Sequence, residues 1–267
     1  GMTMGMKFCS LSSGSSGNCQ YIETDRMKVL VDGGLSGKRI ESLLSSIGVS
    51  IRDIDCILVT HEHIDHVKGI GVVSRRYDIP IYANEKTWVA MRGLIGSVED
   101  KNIKVIESDK SFQLMDLGIQ PFRIFHDAAD PIGFCFYHKN VKMSIMTDTG
   151  WVNDNMKNAI KGSNLYLIES NHDLNMLKEG SYPWPLKKRI LGTRGHLSNV
   201  DAGKVLAEIL SGNGETVLLG HLSKENNIPS LAYETVSQYI EEKGLSINKD
   251  ITLDLTYRDR ATRIYAL

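Results

Sequence analysis

The chain has 267 residues, 42% of them hydrophobic and 24% charged, with a formal net charge of −1. That composition supports a large α/β core and excludes a disordered or fibrous chain; near-neutrality excludes a global field drawing it to nucleic acid or membrane. Its four cysteines, Cys9, Cys19, Cys56 and Cys135, form no CxxC pair, which argues against a disulfide framework or a thiolate zinc site and for a reducing, cytoplasmic setting.

No stretch approaches membrane-spanning length, the amino terminus lacks the apolar core of a signal peptide, and Gly1 before Met2 reads as a remnant of processing. Residues 7–11 predict a first strand, running into Ser12-Ser13-Gly14-Ser15-Ser16-Gly17-Asn18. That loop can bring Ser13, Ser16 and Asn18, with many free backbone amides, close to an anion; a flexible turn between two strands fits its composition equally well. Residues 20–24 and 27–31 predict a hairpin, and the second arm ends at Asp32-Gly33-Gly34. Ser36 then caps a helix carrying Ile40, Leu43, Leu44 and Ile47 at helical spacing.

The apolar run Cys56-Ile57-Leu58-Val59 leads into Thr60-His61-Glu62-His63-Ile64-Asp65-His66, three histidines and two acids within six residues. Neutral imidazoles and carboxylates are the ligands of Zn²⁺, Mn²⁺ and Fe²⁺. In an extended chain His61 and His63 point the same way, and Asp65 and His66 follow where the chain bends toward a helix over 67–77. Beyond it the pattern predicts strands at 80–83, 103–106, 112–115 and 119–125, and a helix at 85–94. A hairpin follows over 133–138 and 141–146, then a strand at 165–168. Ser198 caps a helix to about 210; a strand at 216–219, a helix at 231–242 and closing strands at 251–255 and 262–266 complete the chain. No linker, repeat or low-complexity block beyond the serine–glycine loop divides it, which predicts one domain over 1–267.

Asp32, His61, His126, Asp148, Glu169 and His221 each stand just past the carboxyl end of an apolar strand-like run, the rim where ligands bind in layered α/β proteins. The set divides between two ions: His61, His63 and His126 for one, Asp65, His66 and His221 for the other, with Asp148 able to bridge both. A hydroxide shared by two such ions is a strong nucleophile at neutral pH.

The motif His61-Glu62-His63-Ile64-Asp65-His66, followed by His126, Asp148 and His221, resembles the metallo-β-lactamase superfamily in order and spacing. The resemblance implies a single-domain, four-layer αββα sandwich with two divalent ions, zinc or manganese with iron compatible, at one edge of its sheets. The lack of a cysteine ligand, and Asp148 in the bridging place, are similar to the hydrolase branch. The serine–glycine loop, Thr147-Asp148-Thr149-Gly150, Gly195-His196-Leu197-Ser198-Asn199 and Gly220-His221-Leu222-Ser223-Lys224-Glu225-Asn226-Asn227 together resemble the YycJ (WalJ) subfamily. That implies a 5′-to-3′ exonuclease with DNA as its partner and no membrane. Similar phosphodiesterases place a histidine where His196 stands, against the scissile phosphate and able to protonate the leaving oxygen; an imidazole beside a helix amino terminus suits an anion. Asp65 is expected to orient the nucleophile.

Lys187, Lys188, Arg189 and Arg194 form a segment without acids from 186 to 197, either a phosphate track or a solvated helix face. Asp32 is expected to anchor the 61–66 loop by hydrogen bonds. Glu169 and His172 can face metals or substrate, though an ordinary surface or packing role ranks ahead. The rival activity is hydrolysis of a small molecule, a thioester, lactone or cyclic phosphodiester, at the same centre.

Overall fold

A computed structural model of the chain describes residues 5–267, so Gly1 lies outside the described residues. Strands β1 (Lys7–Ser12), β2 (Cys19–Glu23), β3 (Lys28–Val31), β4 (Cys56–Leu58), β5 (Ile81–Asn84) and β6 (Ile103–Ile106) build the first sheet in that order. The second contains β7 (Phe112–Leu114), β8 (Leu117–Arg123), β9 (Ile132–His138), β10 (Val141–Met146), β11 (Leu165–Glu169), β12 (Glu215–Gly220) and β13 (Ile251–Leu255), again side by side in chain order. The last strand, β14 (Tyr265–Ala266), returns to the first sheet and pairs antiparallel with β1. Each sheet starts with antiparallel hairpins or ends in them, while β3 to β6 and β10 to β13 run parallel.

Period-two alternation explains the stacking of the sheets. Val29 and Val31, Leu165 and Leu167, and Leu218 point into a core between the two sheets, together with Phe134 and Phe136. Their neighbours Leu30, Tyr166, Ile168, Val217 and Leu219 point outward, under helices. Over the first sheet lie α1 (Gly37–Ser46), α2 (Ile64–Val67), α3 (Ile70–Tyr77) and α4 (Glu85–Ile95), which contribute Leu43, Leu44, Val67, Ile70, Trp88 and Met91. The second sheet carries α5 (Asp154–Ile160), α6 (Leu174–Glu179), α7 (Trp184–Leu191), α8 (Asn199–Ile209) and α9 (Pro229–Glu242); α5, α8 and α9 bury Met156, Leu206, Val236 and Ile240 against it. The result is the expected αββα sandwich. At about 1.5–3 kcal/mol per fully buried large apolar side chain, these three clusters are the main favourable term in its folding.

The helix expected over 67–77 is split. Gly69 donates its N–H to Gly33 O, and a side chain there would strike Leu35 O, so the chain turns between α2 and α3 to let the 32–35 segment pass beneath. The strand expected over 262–266 shrinks to its last residues because Thr262 pairs with Ser10 through both backbone and hydroxyl. Helices α5, α6 and α7 stand where the sequence reading assigns no element. Among the described residues no helix is long and apolar enough to cross a membrane.

Candidate metal centre

The loop after β4 is held from below by Asp32, the residue after β3. Its carboxylate accepts from Thr60 N at 2.8 Å, from Thr60 Oγ1 at 2.8 Å and sits 2.7 Å from His66 Nδ1. Asn18 holds the other side: its Nδ2 donates to Asp65 Oδ2 at 3.2 Å, and its backbone N–H to Asp65 O at 2.8 Å. Gly34 lies directly under Asp65, where any Cβ would collide with the Asp65 carbonyl; only glycine allows this approach.

Each histidine is fixed through one ring nitrogen, leaving the other for the centre. His61 Nδ1 meets Thr60 Oγ1 at 2.9 Å, His63 Nε2 meets Asp127 O at 2.9 Å and His126 Nδ1 meets Gly195 O at 3.2 Å. His221 Nδ1 faces Asn171 Nδ2 at 3.5 Å, with Glu169 Oε2 farther off at 3.8 Å, and its backbone N–H donates to Ser13 Oγ at 2.8 Å. Such outer partners set the tautomer and orientation of metal-binding imidazoles.

Asp148 stands in the middle. Its Oδ2 lies 2.7 Å from His66 Nε2 and 3.9 Å from His61 Nε2, and its Oδ1 lies 3.2 Å from His221 Nε2 and 3.9 Å from His126 Nε2. Yet Asp148 Oδ2, His61 Nε2 and His221 Nε2 are buried with no hydrogen-bond partner. Leaving buried polar atoms unpaired costs on the order of 1–3 kcal/mol each. Nitrogen and oxygen donors that approach closely without bonding geometry are placed as co-ligands of a cation. The donors His61, His63 and His126 converge, as do Asp65, His66 and His221, and Asp148 joins His61 and His66 in a third group. The residues therefore fit a pair of divalent ions with nitrogen and oxygen ligands.

Asp32, Asp148 and His221 all adopt left-handed backbone conformations, with φ of 63°, 59° and 55°. This conformation costs a residue with a side chain roughly 1 kcal/mol or more, and it turns each strand end sharply into the centre. Charge is equally concentrated. Burial and the His66 charge push the His61 imidazole well below its ordinary range, and burial also lowers His126. Burial also opposes protonation of His66 and His221, but Asp148 outweighs that and raises both, helped by Asp32 and Asp65 at His66 and by Asp65 and Glu169 at His221, which rises to about 9. The carboxylates of Asp65 and Asp148 are held well below the usual carboxylate range despite burial, by His66 and His221. The cluster thus demands positive charge at its centre.

For Glu169, where the sequence reading ranked a surface or packing role first, the structure excludes the surface. Glu169 is fully buried and accepts from His196 Nδ1 at 2.9 Å, from Leu197 N at 3.2 Å and from Asp148 N at 3.1 Å. His196 in turn lies 3.5 Å from Asp148 Oδ1. Burial lowers the affinity of His196 for a proton, but Glu169 and then Asp148 more than offset this and leave its pKa raised. Sequence offered one usable signal, an acid just past an apolar strand, the same one that marked Asp32.

A cavity of about 310 Å³ opens over these groups, lined by Asp65, Asp148, His196 and His221 together with Arg189 and Arg194. The expected basic segment is only partly there. Lys187 is buried and donates to Lys178 O at 2.7 Å, so it is spent inside the fold; Arg189 pairs with Asp127 at 3.5 Å on the cavity rim. Ser13 reaches the centre through His221, whereas Ser16 is exposed and takes no part in the cluster. His172 is buried away from the ligand groups, beside Asn171 Oδ1 at 3.1 Å; burial and the nearby His196 charge bring its pKa down to about 4.

A model of the metallo-beta-lactamase superfamily matches residues 13–221. The chain is 45% identical over 263 residues to "Exodeoxyribonuclease YycJ" of Bacillus anthracis, covering 98% of this chain and 99% of that protein. It is 43% identical to "Exodeoxyribonuclease WalJ" of Streptococcus pneumoniae serotype 2, covering 97% of each. Among solved structures, the metallo-beta-lactamase fold protein YhfI from Bacillus subtilis superimposes with a TM-score of 0.73 at 15% identity, over 97% of this chain and 99% of that one, a likeness of fold.

Proposed function

The chain belongs to the metallo-beta-lactamase superfamily, and from that membership we propose that it is a metal-dependent exodeoxyribonuclease, hydrolysing DNA phosphodiesters from the 5′ end. The observation that carries the reading is His196, held on buried Glu169 beside Asp148 in a cavity rimmed by Arg189 and Arg194. Full-length likeness to two proteins named exodeoxyribonucleases supports the substrate class.

His61, His63 and His126 would hold one divalent ion and Asp65, His66 and His221 the second, with Asp148 facing both. Zinc or manganese suits these donors, and iron is compatible. Such ions, when bound, activate water and neutralise charge on a phosphoryl oxygen. The chain's own residues supply the rest. Asp65, its carboxylate fixed by Asn18 and partly open to the cavity, accepts a hydrogen bond from the attacking water and sets its direction. Glu169 keeps His196 protonated through Nδ1, which leaves Nε2 to give a proton to the departing oxygen. Arg189 and Arg194 hold the phosphates of the strand.

The test compares 5′-labelled and 3′-labelled DNA and RNA with Zn²⁺ or Mn²⁺, with His196→Ala and Asp65→Ala alongside. The expected result is stepwise release from the 5′ end of DNA and a fall in kcat of about 10²-fold or more in His196→Ala. Cleavage of a thioester or lactone with no cleavage of any nucleic acid would refute the proposal.

A further inference from the structure

Two hairpin turns and the end of a third strand meet at the end of the sandwich opposite the metal centre. β3 begins there and runs to Asp32, and β10 begins there and runs to Asp148. Asp25 stands in the turn between β2 and β3 of the first sheet, Asp116 in the turn between β7 and β8 of the second, and His138 closes β9. The two sheets are tied at this point: Asp116 Oδ1 accepts from Thr24 Oγ1 at 2.6 Å, and its Oδ2 from Arg26 N at 3.2 Å.

A ring nitrogen of His138 and one carboxylate oxygen each of Asp25 and Asp116 lie within 4.8 Å of one another. His138 is only 4% exposed, and its Nδ1 lies 2.9 Å from Asp116 O and 3.7 Å from Asp116 Oδ2. A carbonyl only accepts, so Nδ1 carries the proton of the neutral ring and Nε2 keeps the lone pair. That Nε2 is buried with no hydrogen-bond partner. An imidazole beside two carboxylates that gives one N–H to a backbone carbonyl and keeps its other nitrogen unpaired has the arrangement of a metal ligand, the one that fixes His126 on Gly195 O at the metal centre. The charge balance agrees. Among the described residues the two carboxylates face one lysine, Lys139, whose ammonium is 4.0 Å from Asp25 Oδ2. Both carboxylates reach solvent, Asp25 more than Asp116, so water completes the coordination.

We propose that Asp25, Asp116 and His138 form a further divalent-cation site, for zinc or manganese, at the end of the sandwich opposite the metal centre. One imidazole and two carboxylates are the donor set that these ions share. The ion staples the β2–β3 turn of the first sheet to the β7–β8 turn and the end of β9 in the second, where hydrogen bonds from Thr24 and Arg26 already draw the two together. Lys139 is its competitor for Asp25. The site is independent of the reaction at the metal centre and of the substrate proposed for it.

Isothermal titration of Zn²⁺ into the metal-loaded chain, freed of excess metal by desalting, tests the assignment. One further equivalent per chain is expected to bind. Asp25→Asn and His138→Gln should each weaken it about tenfold or more, since losing even an outer partner of a metal ligand costs about 10–100-fold. Asp25 lies on an exposed turn, so Asp25→Asn decides the matter even where His138→Gln does not fold. Lys139→Ala should act the other way and tighten the site about two- to fivefold, the scale of one charge some 4 Å away in water. A merely structural ion pair between Lys139 and Asp25 predicts no such gain. The further equivalent should also raise the melting temperature of the parent and leave that of Asp25→Asn unchanged. No further equivalent in the parent, which leaves a clasp of hydrogen bonds alone, would overturn the proposal. So would an equivalent that binds Asp25→Asn as tightly as the parent, which places it on other surface groups.

Discussion

Asp32→Asn probes whether the floor of the metal centre is set by charge or only by shape. Asparagine has the same size and tolerates the left-handed φ of 63° at this position, so the backbone is left undisturbed. What changes is the acceptor count. Asp32 Oδ1 takes the Thr60 N–H, and Oδ2 takes the Thr60 hydroxyl and faces His66 Nδ1. An amide has one oxygen, so in either orientation one buried donor, the Thr60 N–H or the His66 ring, loses its acceptor. That costs on the order of 1–3 kcal/mol, and the His66 imidazole also loses the carboxylate that makes it a good ligand. Losing such an outer partner lowers metal affinity about 10–100-fold, or roughly 1.4–2.7 kcal/mol. Competition against a chromophoric chelator measures the affinity, and a melting curve should show Tm lower by a few degrees. Asp55→Asn is the control, since among the described residues Asp55 accepts only the Lys28 N–H, at the surface. Metal affinity within about twofold of the parent in Asp32→Asn would refute the argument.

Two further outcomes follow from the same geometry. Glu169→Gln should keep its metal content but lose about 10²-fold in kcat on DNA, with KM moving less, because His196 loses the carboxylate that orients it and favours its protonated form; a kcat within about threefold of the parent would show that Glu169 serves packing alone. Removing both ions with a chelator should lower Tm by roughly 10–20 °C in calorimetry, given each ion present at about a hundred times its Kd, and an unchanged melting curve would mean that the folded chain holds none.

Much of this architecture could be read from sequence because its determinants are local. Alternating apolar runs such as Leu165-Tyr166-Leu167-Ile168 define strands wherever they stand, and the sandwich sorts their two faces between cores. His61 to His66 announce themselves by proximity, and His126, Asp148 and His221 by standing at strand ends. The losses came where burial depends on distant chain. Glu169 and His196 are 27 residues apart, and nothing in either neighbourhood says that the 195–197 segment closes over the strand end. Lys187 sits among cations that suggest a solvated track, but its ammonium turns inward to the Lys178 carbonyl. Helices α5, α6 and α7 are too short to show a periodic face, and Asn153, Asp173 and Pro183 at their starts carry signals that loops share.

The left-handed turns at Asp32, Asp148 and His221 bear on how such a chain can be engineered. Glycine at any of the three would relax the backbone by roughly 1 kcal/mol while deleting a carboxylate or an imidazole that the centre needs. At Asp32 the gain is outweighed, because glycine leaves the Thr60 and His66 donors without an acceptor at a cost on the order of 1–3 kcal/mol each. The side chains at the three turns thus hold the fold and the metal centre together, so a library screened for heat resistance alone already retains the chemistry.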